Sequence, residues 1–170
     1  MDFEFLANWI SLGSEFFVAH FLIMYFLATF NSYAAYLIGC TILKVGINKA
    51  IKRVSMKCLP EHIALRPINA GKCSICNDGL YNDEDPGFPS GHAWIMTSVA
   101  VEIYLENGMV QITVAAIGLT AATCWARNYK NCHTWQQIIV GVLCGFPYGI
   151  LVHYCVPHSF ENDKTIFWKS

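Results

Sequence analysis

Long apolar runs alternate with short polar breaks along the chain. Residues 3–13 set Phe3, Phe5, Leu6, Trp9, Ile10 and Leu12 among polar neighbours, which predicts an interfacial helix with Trp9 at headgroup level. Phe16 to Phe30 is almost wholly apolar, and His20 within it is expected to be packed or hydrogen-bonded. Asn31-Ser32 breaks the run, and Tyr33 to Ile51 forms the next, turning basic at Lys44, Lys49, Lys52, Arg53 and Lys57. Apolar character returns over residues 92–105, pauses at Glu106-Asn107-Gly108, resumes from Met109 to Trp125, and closes with Trp135 to Val156 after a polar segment, Ala126 to His133. Crossing ~30 Å of hydrocarbon takes roughly 20 residues, with ~17 as the lower limit. The pattern therefore predicts an all-α membrane bundle of about five spanning helices plus an N-terminal interfacial segment. Residues 1–170 form one domain, with an extramembrane loop at about 53–91 and a polar tail at about 157–170.

Composition supports lipid as the solvent. The chain is 55% hydrophobic and 14% charged, where soluble domains average about 25% charged. A net charge of −1 leaves no electrostatic case for nucleic acid. Met1-Asp2-Phe3-Glu4 lacks the positive stretch that opens a signal peptide, so the first apolar segment is expected to stay as an anchor. Of the cysteines, Cys40, Cys124, Cys144 and Cys155 lie in apolar runs, where a thiol acts as a small hydrophobe. Cys58, Cys73, Cys76 and Cys132 lie in polar segments. The Cys73-x-x-Cys76 pair fits half a zinc site, part of a disulfide set or plain loop thiols.

The polar interruptions carry the chemistry. Residues 58–91 contain four prolines, Pro60, Pro67, Pro86 and Pro89, and the acidic run Asp83-Glu84-Asp85, which marks a long exposed loop. The predicted topology brings the end of the second run, this loop and the segment 126–133 to one membrane surface. Lys52, Arg66, Pro89-Ser90-Gly91-His92, Arg127 and His133 then converge. Arginine offers a planar fork of donors that matches phosphate oxygens, and lysine a point charge. Ser90-Gly91-His92 precedes a helix, whose free N–H groups favour an anion, and glycine permits close approach. The two histidines supply a nucleophile and a proton donor. Lys52, Arg53 and Lys57 also fit a plain membrane boundary, and Trp94, Trp125 and Trp135 an aromatic belt.

These residues resemble the type-2 phosphatidic acid phosphatase superfamily over roughly residues 33–155. Its pattern joins a Lys–Arg-Pro motif, a Pro-Ser-Gly-His motif and a Ser-Arg-x5-His-x3-Asp motif. The second stands intact as Phe88-Pro89-Ser90-Gly91-His92-Ala93, and the third as Ala126-Arg127-x5-His133-x3-Gln137. Ala126 replaces the serine and Gln137 the aspartate; His133-Thr134-Trp135-Gln136-Gln137 looks like the dolichyl diphosphatase branch, and the glucose-6-phosphatase branch also tolerates Gln. The usual spacing from Lys52 reaches Leu59-Pro60, and Arg66-Pro67 lies seven residues further, which reads as an insertion.

The resemblance implies a phosphatase for a lipid phosphate or lipid diphosphate. His133 would attack phosphorus and His92 would protonate the leaving oxygen. Gln137 would orient His133 in place of the aspartate. Lys52, Arg66, Arg127, Ser90 and the Gly91 amide would hold the phosphoryl oxygens, and no metal or other cofactor is called for. The competing reading is a membrane scaffold that keeps the fold without the activity, motivated by the displaced arginine and by Gln137. Lysines on the site's side favour a cytosolic face, whereas a disulfide-capable loop favours a lumen, so sidedness stays open.

Overall fold

A computed structural model of the chain describes residues 3–68, 70, 85–107 and 110–169. Among them the protein is helical, with no β-strand. The elements are α1 (Phe3–Thr29), α2 (Ser32–Cys58), α3 (Glu61–Ala64), α4 (Gly91–Asn107), α5 (Val110–Tyr129), α6 (Trp135–Tyr154), a 3-10 turn (His158–Phe160) and α7 (Glu161–Lys169). Two helices, Ser32–Cys58 and Trp135–Tyr154, are long and apolar enough to cross a membrane.

The bounds of three helices and the place of His20 differ from the sequence expectations. The interfacial segment and the first apolar run are one continuous α1 of 27 residues, about 40 Å at 1.5 Å per residue. No breaker separates them: Gly13 alone costs a helix little, and nothing crowds it. α2 runs on to Cys58, so the connecting segment starts at Leu59 rather than at 53. α5 continues through Tyr129, which puts Arg127 on a helical turn rather than in a loop. The tail forms α7, and it caps α2: the Ser32 N–H donates to the Asp163 carboxylate at 2.9 Å, and the Asn31 amide to the Asp163 carbonyl at 2.9 Å. His20 is exposed on α1 rather than packed. Cys73, Cys76, Asp83 and Glu84 lie outside the described residues.

α4 sits at the centre, and from His92 to Ala100 it is buried apart from half-buried Val99. Its closest neighbour is α6, and three glycines explain why. A Cβ at Gly141, Gly145 or Gly149 would lie 2.5–2.7 Å from the carbonyl oxygens of Ser90, Trp94 and Ser98. These glycines recur every four residues, so one helix face lacks side chains and the backbones meet. That contact seats the start of α6 against the start of α4. At the opposite end, Tyr33 donates to Glu102 at 2.5 Å, and Glu106 takes both Lys164 at 2.7 Å and His153 at 3.3 Å. This cluster ties α2, α4, α6 and α7 together.

Candidate active site

The spacing of Arg127 and His133 is a helix ending. α5 stops at Tyr129, Asn131 takes a positive φ of 57°, and the N–H groups of Cys132 and His133 return to the Arg127 carbonyl at 2.9 and 3.3 Å. Asn tolerates this left-handed conformation better than most residues and here terminates the helix. Asn131 and Asn128 then pin the reversal, donating to the carbonyls of Ile68 at 2.9 Å and His133 at 3.1 Å. The imidazole of His133 consequently lies beside the Arg127 guanidinium, Nε2 to Nη2 at 3.4 Å.

Thr134 starts α6 with a capping box. Its hydroxyl accepts the Gln137 N–H at 3.3 Å, and the Gln137 side-chain oxygen accepts the Thr134 N–H at 3.3 Å. The same oxygen lies 3.1 Å from His133 Nδ1. The Gln137 side-chain nitrogen donates to the carbonyls of Ile63 and Leu65, at 2.9 Å for Ile63. Two carbonyls cannot donate, so they set the amide's orientation, and Oε1 must face the ring. Nδ1 therefore carries the proton, and Nε2 holds the lone pair on the side of Arg127. Gly87 leaves the room: a Cβ there would come within 2.6 Å of the Gln137 amide.

The displaced arginine reaches the same place. The extra residues fold as α3, one turn started by Pro60, and the chain then pairs Leu65 with Pro86, Arg66 N–H to Asp85 carbonyl at 3.1 Å. Arg66 is buried and donates to the Cys132 carbonyl at 3.0 Å. Cys132 itself is disulfide-bonded.

Lys52, Arg66, His92, Arg127 and His133 line one cavity of about 500 Å³. Lys52 also donates to the Pro86 carbonyl at 3.1 Å. Ser90 and Gly91 head α4 at the cavity's edge; the Ser90 N–H is engaged by the Gln137 carbonyl at 2.9 Å, and its buried hydroxyl has no hydrogen-bond partner among the described residues. The amides heading the helix thus begin at Gly91. Burial, reinforced by Arg127, Arg66 and Lys52, holds the His133 ring well below the usual histidine range, so it is neutral near pH 7. Of the site residues proposed from the sequence, Lys52, Arg66, Gly91, His92, Arg127 and His133 line this pocket, Gln137 is bonded to His133, and Ser90 precedes Gly91.

Four contributors were not singled out from the sequence. Ser11 of α1 accepts from Arg127 at 3.1 Å. Gly87 admits Gln137. Asn48 packs its side-chain oxygen where a Cβ on Gly91 would be 3.2 Å away. Lys44, counted only among the basic residues of α2, is buried in the cavity wall. The spacing Lys44-x3-Asn48-x3-Lys52 was a legible signal for two of them, since it puts all three on one helix face.

No curated protein and no solved structure matches the chain. A family model of the PAP2 superfamily matches residues 33–161, which takes in every element from α2 to the start of α7. On that match, and with its histidines, arginines and lysine gathered in one pocket, the chain belongs to the PAP2 superfamily, whose members are phosphatases acting on phosphate esters.

Proposed function

We propose that this chain hydrolyses a lipid phosphate or lipid diphosphate at one membrane surface, through a phosphohistidine formed on His133. The observation that carries the reading is the locked ring of His133. Its Nδ1–H is held by Gln137, and its Nε2 lone pair faces a pocket walled by Arg127, Arg66 and Lys52. A neutral imidazole in that tautomer is a nucleophile, and the fixed cations meet charge that develops on the transferring phosphoryl oxygens. In the reaction, Nε2 attacks phosphorus in line and the bond to the leaving oxygen breaks. His92, in the same cavity, gives that oxygen a proton. It then takes one from the water that cleaves the nitrogen–phosphorus bond, which frees phosphate and restores His133.

Two further observations support an apolar substrate and a membrane setting. The pocket adjoins an apolar cavity of about 350 Å³, and the two share Val18, Thr41 and Lys44. Large apolar side chains face outward on α1, α2, α5 and α6, among them Met24, Leu27, Ile42, Leu43, Ile117 and Leu143. Such a belt favours contact with lipid and supports a bundle in which α1, α2, α5 and α6 cross the bilayer around a central α4. Arg66 in the cavity wall and the bond from Gln137 to His133 support the enzyme reading over a scaffold.

Phosphate release by the detergent-purified protein from phosphatidate, diacylglycerol diphosphate and an isoprenyl diphosphate tests the reading. Release by the wild-type chain and its loss in a folded His133→Ala variant are expected, together with a base-stable phosphohistidine in quenched wild-type protein. No release from any of the three, or full activity in His133→Ala, overturns it.

A further inference from the structure

α2 presents Lys44, Asn48 and Lys52 at four-residue intervals, and all three line the pocket of His133. Lys52 lies at the end where the phosphoryl group would be held. Lys44 lies about 12 Å further along the axis, at 1.5 Å per residue. It is only 3% exposed, and it also lines the apolar cavity. It therefore stands at the junction of the polar and apolar chambers. An ammonium sunk that far into a bundle is costly, and a methionine or leucine would fill the same wall without the cost.

Asn48, one turn nearer the site, points to what the ammonium is for. It is 8% exposed, its oxygen lies against Gly91, and its side-chain nitrogen has no hydrogen-bond partner among the described residues. Two buried donor groups, an amide and an ammonium, thus follow one another from the head of α4 toward the apolar chamber. The charge of the pocket points the same way. Among the described residues, Lys44, Lys49, Lys52, Arg66 and Arg127 line it together with the carboxylate of Asp85. A phosphate monoester brings at most two negative charges, and a diphosphate monoester three.

Resting on the phosphatase reading above, we propose that Lys44 and Asn48 form a second anion subsite, which holds the non-reacting phosphate of a diphosphate whose apolar tail enters the adjoining cavity. The terminal phosphorus bonds to His133 Nε2 while its bond to the bridging oxygen breaks. The electron pair of that bond goes to the lipid monophosphate, whose charge Lys44 and Asn48 then meet. Water cleaves the phosphohistidine to inorganic phosphate, so one water is consumed and a lipid monophosphate leaves.

The test compares kcat/KM for farnesyl diphosphate and farnesyl monophosphate in detergent, in wild-type, Lys44→Met, Asn48→Ala and Lys44→Arg proteins. The diphosphate-to-monophosphate ratio is the readout, because a general loss of folded enzyme cancels from it. The wild type should favour the diphosphate at least tenfold. The ratio should fall about 10- to 100-fold in Lys44→Met, less in Asn48→Ala, and recover in part in Lys44→Arg. A second arm needs no turnover: methylenediphosphonate should protect the wild type against thermal unfolding more than methylphosphonate does, and Lys44→Met should abolish the difference. Hydrolysis of both substrates with an unchanged ratio in the variants overturns the subsite and leaves the phosphatase standing. Hydrolysis of neither by the wild type excludes farnesyl substrates without deciding the phosphatase reading, which the phosphatidate and diacylglycerol diphosphate assays decide, and the thermal arm then decides the subsite alone: equal protection by the two phosphonates rejects it.

Discussion

Gln137 joins the nucleophile to the displaced arginine: its side-chain nitrogen donates to the carbonyl of Leu65, the residue before Arg66, while its oxygen accepts from the His133 ring at 3.1 Å. Two of the departures from the family pattern, Gln137 and the displaced Arg66, are therefore linked. An aspartate at 137 could orient the imidazole, but it has no N–H to offer the carbonyls of Ile63 and Leu65. An amide serves both, and in doing so it anchors the turn that carries Arg66 into the pocket.

Replacing Gln137 by Glu keeps the reach, adds a charge and removes both donors. The carboxylate should stabilise the imidazolium and move the acidic limb of the kcat/KM profile upward by about one pH unit or more. Turnover at the optimum should fall, because the Arg66 turn loses its tether. A pH–rate profile of the variant checks both, and an unmoved acidic limb would mean that Gln137 does not touch the ring in solution.

Because the His133 ring is held below its usual range in the folded protein, acid should destabilise the fold through it. Below about pH 6.5 the unfolded chain takes up a proton that the buried ring resists. Stability present above that pH is lost as the pH falls toward the lowered folded value. Melting temperatures at pH 7.5 and 5.0 should drop less in His133→Ala than in the wild type. Equal drops would indicate that His133 is charged or accessible.

Removing Arg66 should cost roughly 100-fold or more in turnover, the scale for one preorganised donor. Arg66→Lys should recover only part, since an ammonium lacks the bidentate fork. Lys57 is exposed beyond the pocket, and Lys57→Ala should be nearly silent. Steady-state kinetics on one substrate suffice, and a silent Arg66→Ala would return weight to the scaffold reading.

Fixed cations rather than a metal are proposed to neutralise the phosphoryl charge. EDTA should therefore leave the rate unchanged, and vanadate should inhibit competitively. Loss of activity in EDTA that a divalent ion restores would contradict that mechanism.

The glycine contact between α4 and α6 should be intolerant of a single methyl. Gly145→Ala would set a Cβ 2.6 Å from the Trp94 carbonyl, backbone that cannot swing aside. It should destabilise by about 1–3 kcal/mol, as overpacking does. At Gly118 nothing lies within 4 Å, so Gly118→Ala should be neutral or slightly stabilising. Thermal melts of the two variants side by side test the assignment of the helix contact.

Much of the site was readable in the chain because its geometry is local. Pro-Ser-Gly-His ahead of an apolar run is a helix N-terminus, and Arg-x5-His is a helix end followed by a left-handed turn. Hydrogen bonds spanning a few residues build both, and motif spacing records them. The apolar runs located the long helices for the same reason. Their ends were less legible: nothing in the pattern separates an amphipathic start from a continuous α1, or stops α2 at Lys52 when its last residues still favour helix. The path of Arg66, the double duty of Gln137, and the burial of Lys44 and Asn48 depend on contacts between segments tens of residues apart. The close seat of α6 on α4 does too. A hydropathy pattern cannot distinguish a side chain that faces lipid from one that faces another helix, and it cannot say which of several lysines on a basic helix turns inward. Those choices are made when backbones approach across three glycines and buried polar groups must find partners, an energy that exists only once the helices are packed.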